Sequence, residues 1–303
     1  MGTFESSRDW GRLLTALVTP FDDDGNVDFA EARRIAAYVV DEQKNSGLVV
    51  SGTTGESPTL STDEKRGLLS EILDEVGGRA AVLFGAGTYN TEESIRLARM
   101  GEDLGAHGLM LVNPYYNKPG QRGLEAHFRA IAESTSLQIL LYNIQPRSAI
   151  NLETETLLRL AETPNIVAVK EASGNLGQIS DVCARVPSGF RVYSGDDGLT
   201  LPILSVGGYG VVSVAGHIVG DRIARMIESF LQGRVAESAR LHQELLPLIN
   251  ALFAAPSPTP VKLALALLGF RTRRVRLPLV PLSESEAEGV ERAFHALRSA
   301  SPV

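Results

Sequence analysis

Short apolar runs alternate with longer amphipathic stretches from near the start of the chain to about residue 232. Eight such runs stand out, at 13–18, 48–51, 80–85, 108–112, 138–142, 166–170, 190–194 and 210–214. They are rich in β-branched and small apolar residues with no polar alternation, which marks strands covered on both faces. Between them the period changes to that of a helix: Leu124, Phe128 and Ile131 share one face, as do Leu157, Leu160 and Ala161. Helix starts are signposted too, by Ser61 with Glu64 and by Asn90 with Glu93, spacings that satisfy orphan N–H groups. Strand then helix, eight times over, predicts an α/β protein built as a (β/α)8 TIM barrel. An open doubly wound sheet has the same periodicity.

After Gly233 the alternation stops. Helical pattern covers 235–253, breaks at Pro256, Pro258 and Pro260, and resumes over 261–268 and 284–298. The expected organisation is therefore a catalytic barrel over 1–233 and a C-terminal helical segment, 234–303, packed on it.

Composition removes several classes of function. The net charge of −7, with a basic cluster only at 271–276, argues against binding nucleic acid or an anionic membrane. No apolar run approaches membrane-spanning length, and the N-terminal residues lack the blocks of a signal peptide. Cys183 stands alone, so no intramolecular disulfide is available and a cytoplasmic setting is expected. The five histidines, at 107, 127, 217, 242 and 295, show no metal-ligand spacing. Gly85-Ala86-Gly87 and the glycines at 207, 208 and 210 fail to complete a dinucleotide fingerprint, so neither metal nor cofactor is expected.

In a barrel the chemistry sits at the C-terminal ends of the strands. The second run is followed by Gly52-Thr53-Thr54-Gly55-Glu56-Ser57, the fourth by Asn113-Pro114-Tyr115-Tyr116-Asn117 and the fifth by Asn143, with Arg147 beyond. The sixth run, Ile166-Val167-Ala168-Val169, ends in Lys170, and the seventh in Ser194-Gly195-Asp196-Asp197. Lys170 has two readings. It is either a snorkelling lysine with its ammonium in water or an amine kept partly neutral by an apolar site so that it can attack a ketone. Lowering a lysine from about 10.4 to about 7 takes ~4 to 5 kcal/mol, within the reach of a buried strand end. Phenols and hydroxyls able to pass protons, and a guanidinium able to grip a carboxylate, favour the second reading.

These motifs, G-T-T-G-E at 52–56, Y-Y-N at 115–117, L-Y-N at 141–143, V-K-E-A-S-G at 169–174 and S-G-D-D at 194–197, make the chain resemble the dihydrodipicolinate synthase / N-acetylneuraminate lyase family of class I aldolases over nearly its whole length. The resemblance implies that Lys170 forms a Schiff base with pyruvate and that Tyr142 shuttles protons. Thr53 and Tyr116 would complete the relay, Tyr116 from a neighbouring subunit of a homotetramer made of two tight dimers. Thr54, Gly195 and Val212 would line the pyruvate pocket. Arg147, five residues beyond Tyr142, matches the arginine with which one branch of the family holds the carboxylate of L-aspartate 4-semialdehyde, as a step in lysine and diaminopimelate biosynthesis. Gln145-Pro146 departs from that branch, so an aldolase for a sugar acid or hydroxy-oxo acid is the alternative, and a non-catalytic binder of oxo acids a more distant one. The positions matching the family's lysine-binding site are Ser57, Pro58, Lys65, Tyr89, Glu93 and Tyr115. The positive charge of Lys65 there would repel a lysine ligand, so weak or absent feedback inhibition is expected.

Overall fold

The computed structural model describes residues 9–299. The expectation about the N-terminal residues, and the outermost residues of the two proposed segments, lie outside that span. The first half runs β1 (Leu13–Ala16), α1 (Phe29–Asp41), β2 (Gly47–Val50), α2 (Thr62–Val76), β3 (Ala81–Gly85), α3 (Thr91–Asp103), β4 (Gly108–Val112), α4 (Gln121–Ala132) and β5 (Ile139–Asn143). There follow α5 (Gln145–Ser148), α6 (Thr154–Ala161), β6 (Ile166–Glu171), α7 (Leu176–Arg185), β7 (Arg191–Ser194), α8 (Thr200–Ser205), β8 (Gly210–Ser213) and α9 (Gly216–Leu231). The last three helices are α10 (Val235–Leu252), α11 (Thr259–Leu267) and α12 (Glu284–Ser299).

The eight strands are parallel and close in sequence order, β8 pairing back to β1, which excludes the open sheet. Strand alternation sorts the apolar side chains into two layers. One fills the barrel and includes Leu14, Val49, Leu83, Met110, Leu140, Tyr142, Ala168, Tyr193 and Val212. The other lies between sheet and helices, and the same apolar cluster runs on into Leu245 of α10, Val261 and Leu265 of α11 and Phe294 of α12. Both caps form. Ser61 makes a full capping box with Glu64, whereas the Asn90 side chain accepts from the Glu93 N–H alone.

One charge inside the apolar run of α11 has a specific partner. Lys262, wholly buried, donates to Glu56 Oε1 and to the Arg274 carbonyl at 2.8 Å, while the Arg276 N–H donates to Glu56 Oε2 at 3.0 Å. The C-terminal helices are thereby tied to the Gly52–Glu56 turn at the top of β2. Glu56 adopts a left-handed φ of 56°.

Candidate active site

Parity along β5 and β6 decides which side chains meet inside the barrel. Tyr142 pairs with Lys170 and Asn143 with Glu171. Tyr142 belongs to the inner layer, so Lys170 faces it there, and the next residue on each strand turns outward. The Lys170 Nζ sits 4.1 Å from the centre of the Tyr142 ring, and the lysine is 5% exposed. Burial drives the amine down to about 7; the Asp197 carboxylate opposes this and the Arg147 guanidinium adds to it. This lysine therefore does not snorkel. Near neutral pH a large fraction of it is the neutral amine.

Burial pushes the Tyr142 phenol up to about 12, opposed by Arg147 and by a side-chain hydrogen bond with Thr53. The phenol is thus held protonated rather than as a phenolate. Thr53 lies in the tight turn that begins at Gly52, in which the Gly55 N–H donates to Gly52 O at 3.1 Å and the Glu56 N–H to Thr53 O at 3.0 Å. Among the described residues, the N–H groups of Thr53 and buried Thr54 donate to no protein acceptor, leaving two donors for an anion. Gly195 packs directly against the lysine: a Cβ there would lie 2.9 Å from Lys170 Cε and 2.7 Å from Ala172 Cβ. Val212 is buried in the inner layer with Tyr142.

Arg147 is carried by α5, a one-turn helix absent from the sequence reading. Proline is tolerated in the first turn of a helix, where its missing N–H has no partner to lose, and Pro146 occupies that place. The rearranged Gln145-Pro146 pair therefore leaves Arg147 in electrostatic reach of both Lys170 and Tyr142. Arg147 is exposed and pairs with no carboxylate among the described residues.

Tyr116 is the one member of the expected relay that the single chain does not bring in. It is 90% exposed, with a left-handed φ of 71°, at the tip of the loop after β4. Its neighbour Tyr115 instead packs edge-on against Tyr89, with ring centres 5.2 Å apart. All six residues matched to the lysine-binding site line one cavity of about 290 Å³, which also reaches Thr53 and Tyr142. Lys65 faces this cavity with its pKa lowered by burial and partly restored by Glu93. A roomier cleft of about 620 Å³, beside Phe21, Leu263 and Phe270, contains none of the strand-end chemistry. Among the described residues no group of three or more His, Cys, Asp or Glu could hold a metal ion, and no helix is long and apolar enough to cross a membrane.

Two features carry no role in the sequence reading. Asp197 accepts from the Ser213 hydroxyl and from the N–H groups of Val214 and Ala215, at 2.9 and 3.2 Å, which fixes the β8 end against the lysine. Asn113, Asn143 and Glu171, each just past the last inward residue of its strand, form a buried polar row on the outer face. The available signal was a polar residue ending each of three consecutive apolar runs.

Residues 9–297 match the model of the dihydrodipicolinate synthetase family. The chain is similar to the 4-hydroxy-tetrahydrodipicolinate synthase of Moorella thermoacetica, 53% identical over 285 residues that cover 94% of this chain and 97% of the relative. It is also similar to 4-hydroxy-tetrahydrodipicolinate synthase 1 of Halalkalibacterium halodurans, 52% identical over 94% of this chain and 96% of that protein. Among solved structures, the dihydrodipicolinate synthase of Cyanidioschyzon merolae with lysine bound superposes with a TM-score of 0.94 at 45% identity, covering 95% of this chain and 98% of that one.

Proposed function

The chain belongs to the dihydrodipicolinate synthetase family, and from that premise we propose that Lys170 is its Schiff-base nucleophile and Tyr142 its proton shuttle. The reaction is the condensation of pyruvate with L-aspartate 4-semialdehyde, the 4-hydroxy-tetrahydrodipicolinate synthase activity of the lysine and diaminopimelate route. One observation carries the assignment of roles: a buried lysine lowered to about 7 lies against the ring of a strand-paired tyrosine.

The neutral Lys170 amine adds to the keto carbon of pyruvate, whose carboxylate lies on the Thr53-Thr54 turn. Tyr142, hydrogen-bonded to Thr53, donates a proton to the carbinolamine oxygen, which leaves as water and yields the imine. The imine nitrogen, positively charged, acidifies the pyruvate methyl; Tyr142, having given its proton to the departing water, takes up the methyl proton to form the enamine. The enamine carbon attacks the aldehyde as that proton passes to the aldehyde oxygen, and the amino group of the condensed product then displaces Lys170 as the free amine. Arg147 holds the aldehyde's carboxylate, and Gly195 and Val212 shape the pyruvate pocket. A phenol near 12 needs a partner to recover each proton, and general acid–base help of this kind is worth ~10² to 10⁴ in rate.

Tyr116 reaches into the relay of a second copy, which accounts for a tyrosine left in solvent by its own chain. The working assembly is a homotetramer of two tight dimers, and the setting is the cytoplasm. The chain divides into the barrel, 1–233, and the helical segment, 234–303. Lysine is a weak inhibitor or none, because Lys65 brings a positive charge into the cavity where the ligand's ammonium groups would lie. A submillimolar inhibition constant for L-lysine near neutral pH would remove that last reading.

The test is pyruvate consumption with L-aspartate 4-semialdehyde, N-acetylmannosamine and glyceraldehyde as acceptors, with Lys170→Ala as the blank. Turnover confined to the semialdehyde, together with a borohydride-trapped pyruvate adduct on Lys170, is expected. Adduct formation that survives in Lys170→Ala would place the nucleophile elsewhere.

A further inference from the structure

Strand β5 presents Tyr142 to the chemistry and, one residue later, turns Asn143 outward under the loop that carries Arg147. The Asn143 side chain uses both of its ends. Its Oδ1 accepts from the Leu152 N–H at 2.9 Å and from Asn113 Nδ2 at 2.9 Å. Its Nδ2 donates to Asn151 Oδ1 at 2.9 Å and to Glu171 Oε1 at 3.1 Å. Asn143 and Glu171 are fully buried, and the Ser173 hydroxyl covers the far carboxylate oxygen at 2.9 Å.

The segment from Ile144 to Leu152 is therefore a strap closed at both ends on one side chain. It leaves β5 at Asn143, turns through α5, reverses at Ala149 with a φ of 61°, and returns to the Asn143 amide at Asn151 and Leu152. A second clamp lies outside the first. Gln178 of α7 donates to Leu152 O at 2.9 Å and accepts from Asn151 Nδ2 at 2.7 Å. Within the strap the Ser148 hydroxyl bridges Ile144 O and Ile150 O at 2.8 and 3.0 Å. Among the described residues the guanidinium of Arg147 has no ion pair to hold it, so its position follows from the backbone it hangs on.

We propose that Asn143, backed by Glu171, is a positioning residue for the second substrate: it fixes the Ile144–Leu152 strap so that Arg147 meets the aldehyde's carboxylate, and it takes no part in forming the pyruvate imine. This rests on the roles given above to Lys170 and Arg147. A buried amide that spans strand, strap and neighbouring carboxylate specifies one geometry, because each partner left unpaired in the dry layer is penalised. Misplacing a binding group by about 1 Å lowers reaction efficiency by up to ~10².

The experiment compares Asn143→Ala, Gln178→Ala and Arg147→Ala in the full-length protein. The readouts are KM for L-aspartate 4-semialdehyde, KM for pyruvate, and exchange of the pyruvate methyl protons with D₂O in the absence of aldehyde, which reports imine and enamine formation alone. Asn143→Ala is expected to raise KM for the semialdehyde about 10- to 100-fold while pyruvate KM and methyl exchange stay within about twofold. Combined with Arg147→Ala it should add little further, since both act on the same contact. Equal losses in methyl exchange and semialdehyde KM would overturn the proposal, because a merely structural residue damages both. An unchanged semialdehyde KM would overturn it as well. Should Asn143→Ala fail to fold, Gln178→Ala leaves the Glu171 carboxylate covered and loosens only the outer clamp; a shift of about 3- to 10-fold in the same KM is expected, and none overturns the proposal. If Arg147→Ala leaves that KM unchanged, the carboxylate role of Arg147 itself falls. If it raises the KM while Asn143→Ala does not, only the positioning role falls.

Discussion

Gly195→Ala puts one methyl group where the lysine stem passes, and its effect can be worked from distances. The new carbon would stand 2.7 Å from Ala172 Cβ, 2.9 Å from Lys170 Cε and 3.0 Å from Lys170 Cγ. Carbon atoms pack at about 3.5 to 4.0 Å, so each contact is short by roughly 0.5 to 1.3 Å. The Ala172 carbon is fixed to the backbone and leaves the methyl nowhere to swing, so the lysine stem must move. Overpacking of this kind destabilises by about 1 to 3 kcal/mol, which the fold survives. A displacement approaching 1 Å at the nucleophile slows the reaction about 10²-fold. The assay is the rate of borohydride-trapped adduct at saturating pyruvate, read beside the melting temperature. We expect trapping to slow about 100-fold while melting falls by only a few degrees. Trapping within about threefold of the parent rate would show that Gly195 is no wall for Lys170.

Adduct formation should rise with pH through about 7 and level off above it, as Lys170 loses its proton; Arg147→Ala moves that midpoint up and Asp197→Asn moves it down, and shifts of opposite sign would refute the charge assignment. The same lysine binds its proton less tightly folded, about 7, than at the ordinary 10.5, so its contribution to stability is least favourable below pH 7 and recovers as pH rises toward 10. Lys170→Met should accordingly raise the melting temperature at or below pH 7 while abolishing activity, and a lowered melting temperature there would count against the burial argument. Glu56→Gln or Lys262→Met alone leaves a buried charge unpaired and should lose ~3 to 5 kcal/mol in urea denaturation, whereas the double variant recovers most of the loss; single losses below about 1 kcal/mol would contradict a dry ion pair. Mixing Lys170→Ala with Tyr116→Phe after dissociation should restore about a quarter of parental activity, because half of the random dimers carry one complete site of two, and no recovery would deny that Tyr116 acts across an interface.

Much of the architecture was legible because it is written in local patterns. A parallel strand covered on both faces must be apolar throughout, so the eight runs matched the eight strands to within about two residues. The differences have physical causes. Residues 17 and 18 leave the ladder after Ala16, and the polar residues Asn143 and Glu171 join it, since a strand end takes any residue whose side chain finds partners. The buried amine was legible for a related reason: Lys170 closes an apolar run that offers it no charge partner. Partners distant in sequence were hidden. Nothing near Lys262 points to Glu56, 206 residues away, although one lysine inside Val261-Lys262-Leu263-Ala264-Leu265 signals that some carboxylate must be found. The helix α5 stayed hidden because four residues are too few to show a period.

The low lysine pKa coexists with a buried carboxylate beside it, and this requires explanation, since an aspartate at close range ordinarily holds a lysine protonated. Asp197 is already engaged by the Ser213 hydroxyl and by two backbone N–H groups at the end of β8. These three donors favour its charged form while burial pushes its own pKa up, and desolvation remains the largest influence on Lys170. The second nearby carboxylate, Glu171, follows Lys170 in sequence, but strand parity sends it to the opposite face, where Asn143 and Ser173 serve it. Burial also pushes Glu171 up, to about 7, so much of its charge is absent near neutral pH. The Arg147 guanidinium acts to drive the proton off the amine. Alternation along the strands thus separates two tasks that share adjacent residues. Tyr142 and Lys170 face a barrel interior poor in free negative charge, and Asn143 and Glu171 spend their polarity outside it, on the strap that carries the guanidinium back over the mouth. An inward carboxylate with free lone pairs, introduced by Val212→Asp, would upset this division by raising the Lys170 pKa and slowing imine formation at neutral pH.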